Sequence, residues 1–245
     1  MKMIILSAGK GSRMMPLTQN LPKPLLYFKN GKTVLETQLD RIKQSGVIDE
    51  VVIVIGFCGE QIEAKLKTYD KGNLKIKTIY NPFYDVSNNL CSLWLARHEM
   101  NEDFIITNGD NILDASVYED IAQNAPKGIV LTINKKDKYT DDDMKVLLED
   151  GVVSKVSKLI NGNEASAESV GLVKVSGKNS IEVFKNTMDE LVRDQSYVDK
   201  FWLEIFNRLS QKCIPVTSFE IDGTNKWQEI DFHPDLEMAK KLLGL

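Results

Sequence analysis

Four short apolar runs, residues 3–8, 50–56, 74–80 and 103–107, alternate along the first part of the chain with stretches whose apolar residues recur at helical spacing. A continuous apolar run of this length, closed by turn residues, is the pattern of a strand buried on both faces. Between the first two runs, Val34, Leu35, Leu39 and Ile42 mark one face of a helix over 33–45 that stops at Gly46. Further helices are expected at 60–67 and 90–98. Strands separated by helices are joined by crossovers, so the pattern predicts a parallel sheet with right-handed connections and helices packed on its faces.

The rhythm changes after the run at 129–133, where strands at 145–148, 152–157 and 170–175 follow one another without a helix between them. Residues 135–143 are strongly charged and loop-like, and 135–169 reads as a small β-rich insertion laid over the sheet. Helices are expected at 180–192 and 198–209 and strands at 216–221 and 227–230, with Pro234 in the first turn of a last helix ending near residue 243. A chain of 245 residues can bury one large α/β core without staples.

With 35 acidic against 31 basic residues, the net charge of −4 argues against a dedicated nucleic-acid binder. No apolar run approaches the roughly 20 residues of a membrane helix. The N-terminal apolar stretch is too short for a secretory signal, because Gly9, Lys10, Gly11 and Arg13 follow it at once. Cys58, Cys91 and Cys213 have no disulfide or zinc-site spacing, which points to a reducing cytoplasm.

Four constellations could carry chemistry. Ser7-Ala8-Gly9-Lys10-Gly11-Ser12-Arg13 follows the first strand, and Pro22-Lys23-Pro24 comes soon after. Glycines let backbone N–H groups approach a phosphate, and Lys10, Arg13 and Lys23 can neutralise it. A dinucleotide fingerprint would need a third glycine and an acidic end to the second strand, and a P-loop would need Gly-Lys-Ser/Thr; neither is present. A tight turn carrying solvated basic residues is the plain alternative.

Asn108-Gly109-Asp110-Asn111 lies just beyond the fourth strand, where ligands of open α/β sheets sit, and Asp110 there can hold Mg²⁺ or belong to an ordinary turn. In Glu229-Ile230-Asp231, period-two alternation puts both carboxylates on one side, able to meet Asp110, although Asp231 could instead cap the helix at Pro234. Ser87-Asn88-Asn89-Leu90-Cys91-Ser92 opens a helix; capping explains one of its polar residues, and a second Asn can bond a base edge or ribose. His98 and His233 form no hydrolytic triad, and Tyr80, Phe83, Tyr84, Phe201 and Trp202 read as core or cleft wall.

The run from Leu6 to Met14, with Pro22-Lys23-Pro24, Gly109-Asp110 and Glu229-Ile230-Asp231, resembles the signature of the nucleotidyltransferases that activate sugar and alcohol phosphates. Ser87-Asn88-Asn89, Ser92-Leu93-Trp94, Asp143-Met144-Lys145-Val146 and Glu168-Ser169-Val170-Gly171 are similar to the small cytidylyltransferases of phosphocholine and 2-aminoethylphosphonate. By overall likeness the chain most resembles the CTP:phosphoglutamine cytidylyltransferases of capsule phosphoramidate synthesis.

The resemblance implies a Rossmann-like three-layer α/β/α fold with a mostly parallel mixed sheet. Residues 1–245 would form one catalytic domain, with 135–169 as the acceptor-binding lid. It implies Mg²⁺ held by Asp110 and Asp231, and Lys23, Arg13 and Asp110 as the catalytic set. The nucleotide, CTP, would lie against Leu6, Ala8, Gly9, Lys10, Gly11, Ser12, Arg13, Lys23, Asn88, Asn89, Ser92 and Asp110. The small phosphorylated acceptor would meet Asp143, Lys145, Lys158, Glu168, Gly171 and Glu229. Phosphocholine enzymes bind the quaternary ammonium with aromatic faces, whereas this insertion has Asp141-Asp142-Asp143, which suits a primary ammonium and tilts the reading toward an amino-acid or aminoalkyl acceptor. A sugar-1-phosphate nucleotidyltransferase and a non-catalytic nucleotide sensor are the rival functions. A homodimer is compatible with the resemblance.

Overall fold

The computed structural model describes every residue except 29, 222–225 and 244–245. The four apolar runs form parallel strands β1 (Lys2–Ser7), β2 (Glu50–Ile55), β3 (Lys75–Tyr80) and β4 (Phe104–Asn108). Strand β1 is buried along its whole length and pairs with β2 on one side and β4 on the other. Its alternate residues feed two cores. Met3 and Ile5 pack with Leu35 and Leu39 of α1 (Val34–Ser45) and Ile62 of α2 (Gly59–Thr68), while Ile4 and Leu6 pack with Leu90 and Leu93 of α3 (Asn89–Leu95).

Helix α1 starts at a capping box, in which the Glu36 N–H donates to Thr33 Oγ1 at 3.1 Å and the Thr33 N–H donates to Glu36 Oε2 at 2.9 Å. It ends at Gly46, whose φ of 65° is the left-handed C-cap that glycine adopts without penalty.

Two elements beyond β4 have weak sequence signals. Strand β5 (Asn111–Leu113) is three residues long, and α4 (Ala115–Gln123) opens on Asp114, whose carboxylate accepts from the Ser116 N–H at 3.1 Å. The chain continues through β6 (Gly128–Asn134), β7 (Lys145–Glu149), β8 (Val152–Ser157), β9 (Ala167–Ser176), α5 (Lys178–Val192), α6 (Glu204–Gln211), β10 (Thr217–Glu220), β11 (Trp227–Glu229) and α7 (His233–Leu243). The helix expected over 198–209 begins only at Glu204, because the residues before it turn inward to bury Trp202. No described helix is long and apolar enough to cross a membrane.

Among the described residues, nine strands form one sheet in the order β3-β2-β1-β4-β9-β6-β10-β8-β7. The sheet is mixed because β9 runs antiparallel to both β4 and β6. A parallel entry would need a crossover helix, and the chain between β7 and β9 has none. The β-rich segment is hydrogen-bonded to the main sheet, with β8 beside β10 and Lys145 of β7 opposite Glu168 at the start of β9. Between Leu131 and Ile133 the β6–β9 register shifts, and Gly171 sits there with a φ of +68°. A Cβ at Gly171 would lie 2.8 Å from Asn111 Nδ2 and 3.0 Å from Asn108 Nδ2, so the bulge lets β9 approach the end of β4.

Strands β5 and β11 form a separate antiparallel ribbon, Asn111 opposite Glu229. A small core of Met14, Leu26, Phe28, Val34, Ile112, Ile230 and Ala239 joins this ribbon to the loop after β1. That core brings residues from both ends of the chain to one cleft.

Candidate active site

The cleft lies beyond the C-terminal ends of β1 and β4, closed on one side by the bulge of β9 and on another by the β5–β11 ribbon, around a cavity of about 290 Å³. Its phosphate-sized end is the loop after β1. Gly11 has a φ of 63°, and a Cβ there would meet Lys23 Cβ at 3.1 Å and Thr18 Cγ2 at 3.2 Å. Thr18 Oγ1 holds the turn by donating to the Gly11 carbonyl at 2.8 Å. Glycine is required there both for its backbone and for the close approach of Lys23. Gly109 is similarly confined, since a Cβ would collide with Ser7 Oγ.

Lys23 Nζ donates to Asp110 Oδ2 at 2.8 Å and to Asp231 Oδ1 at 2.7 Å. Burial works against its charge, but these two carboxylates prevail and hold the ammonium above the ordinary lysine range. Arg13 Nη1 donates to Asp231 Oδ2 at 2.7 Å and to Asp142 Oδ2 at 3.0 Å, and Lys158 Nζ donates to Asp142 Oδ1 at 2.7 Å. The hydrogen bond from Lys158, aided by the charge of Arg13, lowers the Asp142 carboxyl. Lys158, Asp142, Arg13, Asp231, Lys23 and Asp110 thus form a chain of alternating charge from the β-rich segment to the end of β4. Asp231 does not cap the last helix; Asp235 accepts from the Asp231 and Phe232 N–H groups instead.

Carboxylate oxygens of Asp110, Glu229 and Asp231 lie within 4.8 Å of one another. Burial, with the Asp110 and Asp231 charges, pushes the Glu229 carboxyl up to about 8. Asp110 Oδ1 is buried without a hydrogen-bond partner. Three convergent carboxylates and one unsatisfied buried oxygen fit a hard divalent cation such as Mg²⁺, which takes oxygen ligands.

Leu6, Ala8, Gly9, Gly11, Ser12, Arg13, Lys23, Asn88, Asn89, Ser92, Asp110, Lys158, Gly171, Glu229 and Asp231 of the expected set line the cavity. Lys10 does not; its ammonium pairs with Asp85 on the exposed side of the loop. Asn88 caps α3, accepting from the Asn89 N–H at 2.8 Å, and Asn89 Oδ1 accepts from the Trp202 N–H at 2.9 Å. Ser92 is buried and bonded to Asn81.

Asp143, Lys145 and Glu168, expected to meet the acceptor, do not line the cavity. Lys136 Nζ pairs with Asp143 at 2.8 Å and with Glu168 at 2.6 Å. Lys145 is 1% exposed, and its ammonium donates to the Thr140 carbonyl at 2.7 Å. The physical reason is pairing register: opposed on β7 and β9, Lys145 and Glu168 are both buried, and the partly exposed Lys136 neutralises the carboxylates. The neighbours Asp142, Met144 and Ser169 face the cavity instead.

Trp202, read from the sequence as core or cleft wall, is both, and sequence reasoning missed Gln38 as a site-building residue. Trp202 is fully buried and its Nε1–H donates to Asn108 Oδ1 at 3.1 Å. Gln38 falls between Leu35 and Leu39 on the apolar stripe of α1, and a polar residue on such a stripe is the signal that could have found it.

The nucleotidyl transferase family profile matches residues 2–141. A CTP:phosphoglutamine cytidylyltransferase of Campylobacter jejuni is 28% identical over 257 residues, covering 97% of this chain and 98% of the relative. A choline-phosphate cytidylyltransferase of Streptococcus pneumoniae is 26% identical, covering 99% and 98%. Among solved structures, a CTP:phosphocholine cytidylyltransferase from Streptococcus pneumoniae superposes with a TM-score of 0.77 at 23% identity, covering 99% of this chain and 98% of that one. An inositol-1-phosphate CTP transferase from T. maritima gives 0.78 at 18% identity, covering 99% and 94%. The fold is therefore that of these enzymes, and the match over more than half of the sequence places this chain in the nucleotidyl transferase family.

Proposed function

We propose that this protein is a Mg²⁺-dependent cytidylyltransferase that moves CMP from CTP to a small phosphorylated amine or amino acid, with L-glutamine phosphate as acceptor and CDP-L-glutamine and pyrophosphate as products, a step suited to capsule phosphoramidate synthesis. The observation that carries the reading is the Lys23 ammonium shared by Asp110 and Asp231 beneath a glycine loop, with Arg13 next in line. The full-length similarity to the C. jejuni and S. pneumoniae enzymes supports cytidylyl transfer over transfer of other nucleotides.

In the reaction, an anionic acceptor oxygen forms a bond to the α-phosphorus of CTP while the bond from that phosphorus to the bridging oxygen of pyrophosphate breaks. The nucleophile is already charged, so no protein base is required. Arg13 and Lys23 leave their carboxylate partners and take the triphosphate, neutralising the charge that passes to the leaving pyrophosphate. Asp110 and Asp231, with Glu229 beside them, would hold Mg²⁺, which supplies further charge neutralisation at the phosphates. The glycine loop keeps backbone N–H groups close to the same oxygens, and Trp202 and Asn89 brace the wall opposite.

We assign the acceptor to the side formed by 135–169, where Asp142, Met144 and Lys158 line the cavity. When Arg13 turns to the triphosphate, Asp142 retains Lys158 and gains capacity for an acceptor ammonium. Phosphocholine is the second reading, favoured by one observation: the ring of Phe201 lines the cavity and carries Lys158 Nζ at 6.0 Å from its centroid, a face able to take a cation.

A pyrophosphate-release panel crossing four nucleotides with phosphoglutamine, phosphocholine, 2-aminoethylphosphonate and hexose-1-phosphates tests both readings. Turnover confined to CTP with phosphoglutamine is the expected result. Turnover with phosphocholine instead supports the second reading, and preference for UTP, TTP or a hexose phosphate overturns both.

A further inference from the structure

We infer that Gln38 is a positioning residue that sets Asp110 for cation binding through the backbone of its turn. Gln38 is 0% exposed on α1, and its Nε2 donates to the Asn108 carbonyl at 3.0 Å and to the Asn111 carbonyl at 2.9 Å. These carbonyls flank Gly109-Asp110, so a single side-chain amide clamps both ends of the turn that presents the carboxylate.

The rest of the turn is held with equal economy. The Gly109 N–H donates to the Leu6 carbonyl at 2.8 Å, and the Ile230 N–H donates to the Asp110 carbonyl at 2.9 Å. Asn111 Nδ2 donates to the Val170 carbonyl at 2.8 Å, tying the turn to the bulge of β9. Removing the amide of Gln38 would leave two carbonyls unsatisfied and the turn free to rotate Asp110 away from Glu229 and Asp231. The amide also carries a cost, because Gln38 Oε1 is buried with no partner among the described residues. An apolar residue would suit the stripe better for packing alone. The orphaned oxygen marks a residue placed for what its N–H groups hold.

The inference rests on Asp110 being a cation ligand, and the test separates the two claims. Mn²⁺ binding to the full chain without nucleotide or acceptor is measured by electron paramagnetic resonance for Gln38→Met, Gln38→Asn, Thr33→Ala and Asp110→Asn. Gln38→Met fills the same space without donors, and Gln38→Asn keeps an amide too short to reach if Gln38→Met fails to fold. Both Gln38 variants are expected to weaken Mn²⁺ by about tenfold or more, the range seen when groups orienting metal ligands are removed. The kcat is expected to fall by a similar factor, with KM for CTP within about twofold. Thr33→Ala loosens the same helix by losing its cap and is expected to bind Mn²⁺ as the unaltered protein does.

A folded Gln38→Asn with unaltered Mn²⁺ affinity, or a Thr33→Ala that loses as much, overturns the inference. Unaltered binding in Asp110→Asn overturns the cation reading of Asp110 and the inference with it. Loss in Asp110→Asn alone overturns only the role of Gln38.

Discussion

The two sides of the cleft reached their present form by different rules. On the side of the glycine loop, Gly11, Arg13, Lys23, Asp110 and Asp231 are each fixed by backbone geometry: a left-handed turn, a short helical turn between prolines, and the ends of β4 and β11. On the side of the β-rich segment, the direction of a side chain depends on how β7, β8 and β9 pair, and the buried Glu168 carboxylate is met by the partly exposed Lys136. Of the groups set by turns, Arg13, Lys23, Asp110 and Asp231 meet in the cleft, while Lys10 turns out to Asp85. Motifs set by strand register need the register itself.

The sharpest way to break this contrast is to remove a group on the first side. Asp110→Asn and Lys23→Ala are each expected to lower kcat by about a hundredfold or more, the usual cost of losing a charge that stabilises the transition state. Circular dichroism is expected to show the fold retained. Turnover near that of the unaltered protein in either variant would show that the charge chain does not act in the reaction.

Smaller effects sharpen the second side. Asp142→Asn is expected to raise KM for the acceptor by about tenfold while leaving KM for CTP within about twofold, as expected for loss of one charge-assisted bond. Asp143→Asn loosens the pairing with Lys136 and is expected to lower the melting temperature while changing acceptor KM less. Steady-state kinetics with each substrate varied in turn, alongside thermal melts, check the pair. The reverse pattern would put Asp143 in the acceptor pocket and Asp142 in the scaffold.

Glu229 gives a pH signature on the metal-free protein. Its carboxyl is pushed up to about 8, so between the ordinary carboxylate range and about pH 8 the folded chain binds more protons at this group than the unfolded chain does. Its contribution therefore makes stability fall as pH rises through that window, by at most about 1.4 kcal/mol per pH unit. Denaturant melts from pH 5 to 8 are expected to show a shallower fall for Glu229→Gln than for the unaltered protein. Parallel curves would mean that Glu229 is not held protonated.

The smallest expected effect belongs to Thr33→Ala, which removes the capping box of α1 at a cost of about 1 kcal/mol. A urea melt checks it, with kcat unchanged.

Most of the fold was legible because strands buried on both faces read as continuous apolar runs, and the helices between them carry clean stripes and stops. Strand β5 was invisible because three residues are too few to show a period. Helix α4 was missed because its buried face, Ala115, Val117, Tyr118 and Ile121, is short and interrupted by polar residues. The antiparallel entry of β9 needed the three-dimensional pairing that its bulge at Gly171 makes possible. In the site, Lys23, Asp110 and Asp231 were legible as turn-borne groups. Asp142 was not, because three consecutive aspartates offer no way to tell which one faces the cleft. Lys145, expected at the acceptor, is buried with its ammonium on the Thr140 carbonyl, a placement that its spacing does not show.

Cytidylyl transfer is seen most directly in the bond that is made. Phosphorus NMR of the protein with CTP, L-glutamine phosphate and Mg²⁺ is expected to show pyrophosphate and a new cytidine diphosphate ester rising together as the β-phosphate signal of CTP falls. No change with CTP, or faster formation of the corresponding uridine or thymidine product from UTP or TTP, would contradict cytidylyl transfer to this acceptor.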